Sequence, residues 1–270
     1  MGGGARYVYG KNSVKALLDV HSGNVFKIFL SDSLKPDKRV QAIQEKAREH
    51  RIPVQTVPRQ KLDQMLRSYE DQAGKQQPEG KPGDEAEFAN HQGVVASVAP
   101  KALLDLQTII RQCKEKMAAG THPRLLLLDS ITDPRNFGAI LRVVDASGID
   151  GVIVPKHHSA GFGPAVSKTA SGAEETVNVA TVSNLNQAIQ QLKDAGFWIA
   201  GAANDPKAVD YHKQDYNMPV ALVMGSEDKG LASLVSKNCD FLVKIPMYGT
   251  VDSLNVAAAT AVLLFEMVKR

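Results

Sequence analysis

From Arg124 to the C-terminus the chain alternates between short apolar runs and longer stretches of helical periodicity. The runs are LLLLDS, GVIVP, TVNVA, FWIAGA, VALVMG and FLVKIP, each bounded by polar turn residues. Between them the spacing predicts helices starting near Asn136, Pro164, Leu185, Gly230 and Ser253. Strict alternation of this kind is the pattern of a parallel sheet covered by helices on both faces. Ligands of such sheets bind beyond the C-terminal strand ends. That rule points to the turns after Leu128, Val154, Met224 and Ile245.

Residues 7–100 carry shorter elements. SVKALLDV reads as a helix opened by Asn12 or Ser13, and VFKIFLS alternates as a strand. DKRVQAIQEKAREH places Val40, Ile43 and Ala47 at helical spacing. IPVQTV is a second strand, RQKLDQML a short helix, and QGVVASV a further strand. Together they predict a small α/β unit. Residues 68–90 are rich in Gly, Pro, Gln and acid without periodicity, the pattern of a flexible insertion. LLDLQTIIRQCKEKMAAG predicts a helix closed by Gly120, so 101–122 reads as a linker helix between domains 1–100 and 123–270.

Composition narrows the class. A hydrophobic share of 43% and a charged share of 23% suit a globular protein. No apolar stretch approaches the roughly 20 residues that span a bilayer. The first residues lack the apolar core of a secretory signal, so the cytoplasm is the expected compartment. Cys113 and Cys239 form neither a disulfide framework nor a metal motif, and no metal is expected. The net charge of +3 is uneven: residues 1–67 hold 13 Lys+Arg against 6 Asp+Glu, whereas 91–270 balance at 17 and 17. The N-terminal surplus is either a set of solvated helix faces or a surface for phosphates.

Three polar turns remain as candidates for chemistry: DPRNFGAILR, MGSEDKGL and IPMYGTVDSLNVAAATA. Each also has a purely structural reading. Asn136 can cap a helix, GSEDKG can be a tight turn before a helix, and DSLN can be a capped helix start. Arg142 stands in an otherwise apolar helical run and calls for a partner or a ligand. Taken together, three such turns at strand ends suggest one site. There is no GxGxxG between the first strand and helix and no GxxxxGK[ST], which disfavours a nucleotide-dependent oxidoreductase.

DPRNFGAILRVVDASG, VALVMGSEDKGL and VKIPMYGTVDSLNVAAATAVLLFEM closely resemble, in order and spacing, the three signature motifs of the SpoU branch of the SPOUT methyltransferases. YVYGKNSVKALL and NHQGVVASV resemble the ribosomal-protein-like RNA-binding domain fused to many members. The resemblance implies a trefoil knot in a C-terminal parallel-sheet domain, a smaller N-terminal α/β RNA-binding domain, and a homodimer whose active site is completed across the interface. It implies S-adenosylmethionine as cofactor, contacted at Gly225, Ile245 and Leu254. It implies 2′-O-methylation of a ribose, a guanosine of large-subunit ribosomal RNA above all.

Carried over by motif position, Arg142 is the family's catalytic arginine, with Asn136, Glu227, Ser253 and Asn255 as the other polar positions. A guanidinium does not deprotonate in proteins. Arg142 is therefore expected to hold a phosphate and ease loss of the neighbouring hydroxyl proton. Asn136 and Asn255 are expected to orient Arg142 and the ribose, and Glu227 and Ser253 to organise the turns. Rival readings are a tRNA ribose methyltransferase, an rRNA methyltransferase conferring antibiotic resistance, and a non-catalytic RNA-binding assembly factor. In the last, decay of the motif residues would be expected.

Overall fold

The computed structural model describes residues 6–72, 91–157 and 159–269. The chain divides into two compact units, one of residues 1–102 with 161–176 and one of residues 103–160 with 177–270.

The first unit is built on a four-stranded sheet of β1 (Arg6–Tyr9), β2 (Val25–Ser31), β3 (Val54–Val57) and β4 (Val94–Val98), in the order β1-β4-β2-β3. β4 runs antiparallel to both neighbours, and β2 and β3 are parallel. Period-two alternation sends Val94, Ala96 and Val98 to one face, against Val14, Leu17 and Leu18 of α1 (Lys11–His21) and Ile43 and Ala47 of α2 (Lys38–Glu49). Val95 turns to the other face with Leu62 and Leu66 of α3 (Arg59–Gln72).

Three local readings change. β1 is too short to register in the hydrophobic pattern. α1 is opened by Gly10 at φ 92°, with no side-chain cap, rather than by Asn12 or Ser13. α3 runs on through Gln72, so residues 68–72 are helical, not loop. The rest of the expected insertion, 73–90, lies outside the described residues.

The second unit is a seven-stranded sheet in which every pairing is parallel. Its strands are β5 (Arg124–Leu128), β6 (Gly151–Pro155), β7 (Val179–Val182), β8 (Trp198–Ala202), β9 (Val209–Asp210), β10 (Val220–Met224) and β11 (Phe241–Lys244). The order is β7-β6-β5-β10-β8-β11-β9. One face packs Leu125, Leu127, Ile153 and Val223 against α4 (Leu106–Ala118) and α8 (Leu185–Asp194). The alternate residues Leu126, Leu128, Val152 and Leu222 are equally buried. α5 (Pro134–Ser147) packs against α10 (Val256–Met267).

α4, expected as a linker, has Leu106, Ile109, Ile110 and Cys113 inside this core. Between β6 and β7 lie α6 (Pro164–Ala170) and α7 (Ala173–Thr176), which group with the first unit. α9 (Ser233–Asn238) begins three residues after Gly230, and α10 three after Ser253.

Candidate active site

The strand order decides where the site forms. β10 lies between β5 and β8, and β11 pairs on the far side of β8. The C-terminal ends of β8, β10 and β11 therefore open side by side, at the edge where parallel sheets bind ligands. A cavity of about 300 Å³ occupies that edge. Its wall combines Ala202–Asn204 after β8, Met224–Glu227 after β10, Val243–Ile245 at β11, and Asp252–Leu254 before α10. Of the eight residues singled out in the sequence, Gly225, Glu227, Ile245, Ser253 and Leu254 line it.

The turn after β10 is a tight hairpin. Ser226 and Gly230 exchange backbone hydrogen bonds, with N···O distances of 3.1 and 2.8 Å. Gly225 sits where this turn folds back: a Cβ there would lie 2.1 Å from the Gly230 carbonyl carbon and 2.4 Å from the Leu231 nitrogen. The buried carboxylate of Asp129, at the end of β5, accepts from the Ala232 N–H at 2.9 Å and so ties the far end of the turn to the sheet.

At the head of α5 the capping residue is Asp133, which accepts from the Arg135 N–H at 2.8 Å, with Pro134 in the first turn. Asn136 is thereby released from capping duty. Its Nδ2 donates to Glu227 Oε2 at 3.2 Å, and its Oδ1 accepts from Asn255 Nδ2 at 2.9 Å. Asn255 caps α10, its Oδ1 accepting from the Ala257 N–H at 3.0 Å. One amide relay thus joins the three turns, from Asn255 through Asn136 to Glu227, and sets the orientation of both amides.

Arg142 stands apart. It is exposed on α5, does not line the cavity, and makes no hydrogen bond or ion pair among the described residues. The partner or ligand that its apolar surroundings call for is thus not supplied by the described residues, and Arg142 lies about 240° around α5 from Asn136. The two asparagines orient each other and Glu227 rather than Arg142. The turn after Val154 does not reach the cavity, whereas the turn after β8, with Asn204, does. The rule that flagged the other strand ends applies equally to FWIAGA and would have found it.

Comparison with known proteins places this geometry in a class. The profile of the SpoU rRNA Methylase family matches residues 123–265. A profile described as RNA 2′-O ribose methyltransferase substrate binding matches residues 7–73. The chain belongs to the SpoU rRNA Methylase family, and its class is that of the RNA 2′-O-methyltransferases. The cofactor this family uses is S-adenosylmethionine.

A Staphylococcus haemolyticus protein assigned to the TrmH family of tRNA/rRNA methyltransferases is 37% identical over 264 residues, covering 97% of this chain and 95% of its own. The Pseudomonas putida 23S rRNA (guanosine-2′-O-)-methyltransferase RlmB is 36% identical over 263 residues, covering 97% and 96%. Among solved structures, the SpoU methyltransferase AviRb from Streptomyces viridochromogenes, in complex with AdoMet, superposes with a TM-score of 0.72. It covers 98% of this chain and 90% of that one at 22% identity, a likeness of fold.

Proposed function

We propose that the protein transfers a methyl group from S-adenosylmethionine to the ribose 2′-oxygen of a guanosine in large-subunit ribosomal RNA. The observation that carries this is the relay Asn255–Asn136–Glu227, which joins three strand-end turns of one family site beside a cavity. Identity of 36% to a guanosine-specific 23S rRNA enzyme across nearly the whole chain supports the choice of substrate.

The residues present fit the cofactor. Met224, Val243, Ile245, Leu254 and Val256 offer apolar walls for an adenine, and Asn204, Asp252 and Ser253 offer polar groups for its charged and hydroxyl ends. The bare backbone at Gly225 admits close approach. When bound, S-adenosylmethionine supplies a methyl group already activated by its sulfonium. What the chain adds is position and control of a proton. The relay holds Glu227, and Ser253 shapes the mouth of the cavity. Arg142 stays protonated, holds the phosphate beside the target ribose, and favours loss of the 2′-hydroxyl proton.

Arg142 reaches a reacting centre through a homodimer. α10 is apolar on nearly all sides, and its Phe265 is 50% exposed, while Val251 and Tyr248 of the preceding loop are 61% and 91% exposed. Such a surface favours a second copy. In this reading residues 1–100 bind structured RNA, 123–270 form the methyltransferase domain with a trefoil knot, and the enzyme works in the cytoplasm without a metal.

The test is methyl transfer from labelled S-adenosylmethionine to unmodified large-subunit rRNA and, separately, to bulk tRNA. Label in rRNA that survives alkali as a dinucleotide is the expected result. Label in tRNA alone would reassign the substrate. RNA bound without label in either would mark a non-catalytic assembly factor.

A further inference from the structure

The first unit holds a smaller cavity of about 90 Å³ at the start of α1. Gly10, Asn12 and Ser13 form one side of it, Gln92 another, and Lys168 and Ser171, at the end of α6, a third. Its lining brings together backbone N–H groups, hydroxyls and an ammonium.

α1 begins without a capping side chain, because Gly10 stands at the N-cap and has none to offer. Gln92 Oε1 accepts from the Lys11 N–H at 3.2 Å. The next two N–H groups, of Asn12 and Ser13, have no acceptor among the described residues. They carry the positive end of an 11-residue helix. The Ser13 side chain is a second and independent sign. Ser13 is only 4% exposed and lines the cavity, yet its hydroxyl makes no hydrogen bond among the described residues. Buried hydroxyls are ordinarily paired, and this one belongs to a residue in the wall of the cavity.

The charge balance agrees. Lys168 brings an ammonium to the rim, and among the described residues no Asp or Glu lines the cavity. The nearby Lys11 ammonium is already held by Asp37 at 2.6 Å, so Asp37 is neutralised. Uncapped backbone N–H groups, hydroxyls and an ammonium around a space this small suit a single tetrahedral oxyanion.

We propose that this cavity binds one backbone phosphate of the substrate RNA and so fixes the register of the RNA on the N-terminal unit. The proposal rests on the reading of the chain as an RNA methyltransferase. The same chemistry would accept free phosphate, so the test has two arms.

In the first arm, binding of unmodified large-subunit rRNA is measured as a function of salt for wild type, Lys168→Ala and Ser13→Ala, with the thermal transition checking that each variant folds. Both variants should bind several-fold more weakly. Lys168→Ala should also lower the slope of log K against log[salt] by about one phosphate contact, roughly 0.7–0.9. Unchanged affinity and slope in both folded variants would overturn the proposal. In the second arm, inorganic phosphate is titrated while the amide signals of Asn12 and Ser13 are followed by NMR. Shifts that are lost in Lys168→Ala support an oxyanion site. Shifts without any effect of the variants on RNA binding would make it a site for free phosphate and overturn the RNA assignment. If wild type bound no RNA, the reading of function would fall by itself, and absence of phosphate shifts would then overturn the cavity as well.

Discussion

Asn255 donates a hydrogen bond to Asn136 at 2.9 Å across 119 residues of chain, tying the cap of the last helix to the first turn of α5. The bond leaves Asn136 with its amide nitrogen turned to Glu227. Asn136→Ala should therefore leave the fold intact, because Asp133 caps α5 and Asn255 still caps α10. The stability cost should be about 1–2 kcal/mol, that of two exposed hydrogen bonds. Methyl transfer should fall about 10²-fold, since Glu227 loses the group that holds it. Steady-state kinetics with labelled cofactor, beside a denaturant melt, would separate the two effects.

Gly225→Ala should act on the opposite balance. The added Cβ would meet backbone atoms of Gly230 and Leu231, which cannot rotate away. The cost should be about 1–3 kcal/mol, the range of overpacking. Calorimetric titration should find cofactor binding lost at temperatures where the variant is still folded. Wild-type cofactor affinity in Gly225→Ala would remove this turn from the binding site.

Arg142→Ala should leave stability within about 0.5 kcal/mol, as expected for an exposed residue. It should cost at least about 10² in methyl transfer while cofactor binding stays near that of wild type. Mixing Arg142→Ala subunits with Asn136→Ala subunits should restore part of the activity if the arginine of one subunit serves the cavity of the other. No recovery in demonstrated mixed dimers would place Arg142 and Asn136 in the same functional site of one subunit.

The first unit carries a pH dependence of its own. Glu174 is fully buried, and that burial, followed by the like charge of Glu175, raises its carboxyl to about 7. Arg6 pairs with Glu175 at 2.5 Å rather than with Glu174, whose Oε1 has no partner. Lys101 donates to the Glu175 carbonyl at 3.1 Å, and the Ser167 hydrogen bond offsets only part of the shift. Between about pH 4.5 and 7 the folded state binds more protons at this group than the unfolded chain. Stability from Glu174 should therefore rise as pH falls from about 7 toward 4.5, by up to roughly 3 kcal/mol. Glu174→Gln should flatten that dependence and stabilise the protein at pH 8, as thermal melts at several pH values would report.

Much of this was legible from residue order alone. Burial on both faces leaves a strand apolar throughout, and helical spacing follows from one buried face, so six of the seven strands and most helices of residues 124–270 could be read without coordinates, whereas the two-residue β9 and the four-residue α7 are too short to show a pattern. The three polar turns followed from where those strands end, and the resemblance of their motifs to a known family named eight residues in and beside them, five of which line the cavity. What the sequence could not determine was which turn meets which, because strand order is set by pairing over long separations. Placing β8 between β10 and β11 is what brings Asn204 to the cavity. Competition among neighbours at one helix end also escapes a local reading: Asp133, not Asn136, caps α5, and that choice frees Asn136 for the relay. Arg142 shows the same limit from the other side. The motif named it, but only the helical rotation from Asn136 in the folded chain put it on an exposed face away from the cavity.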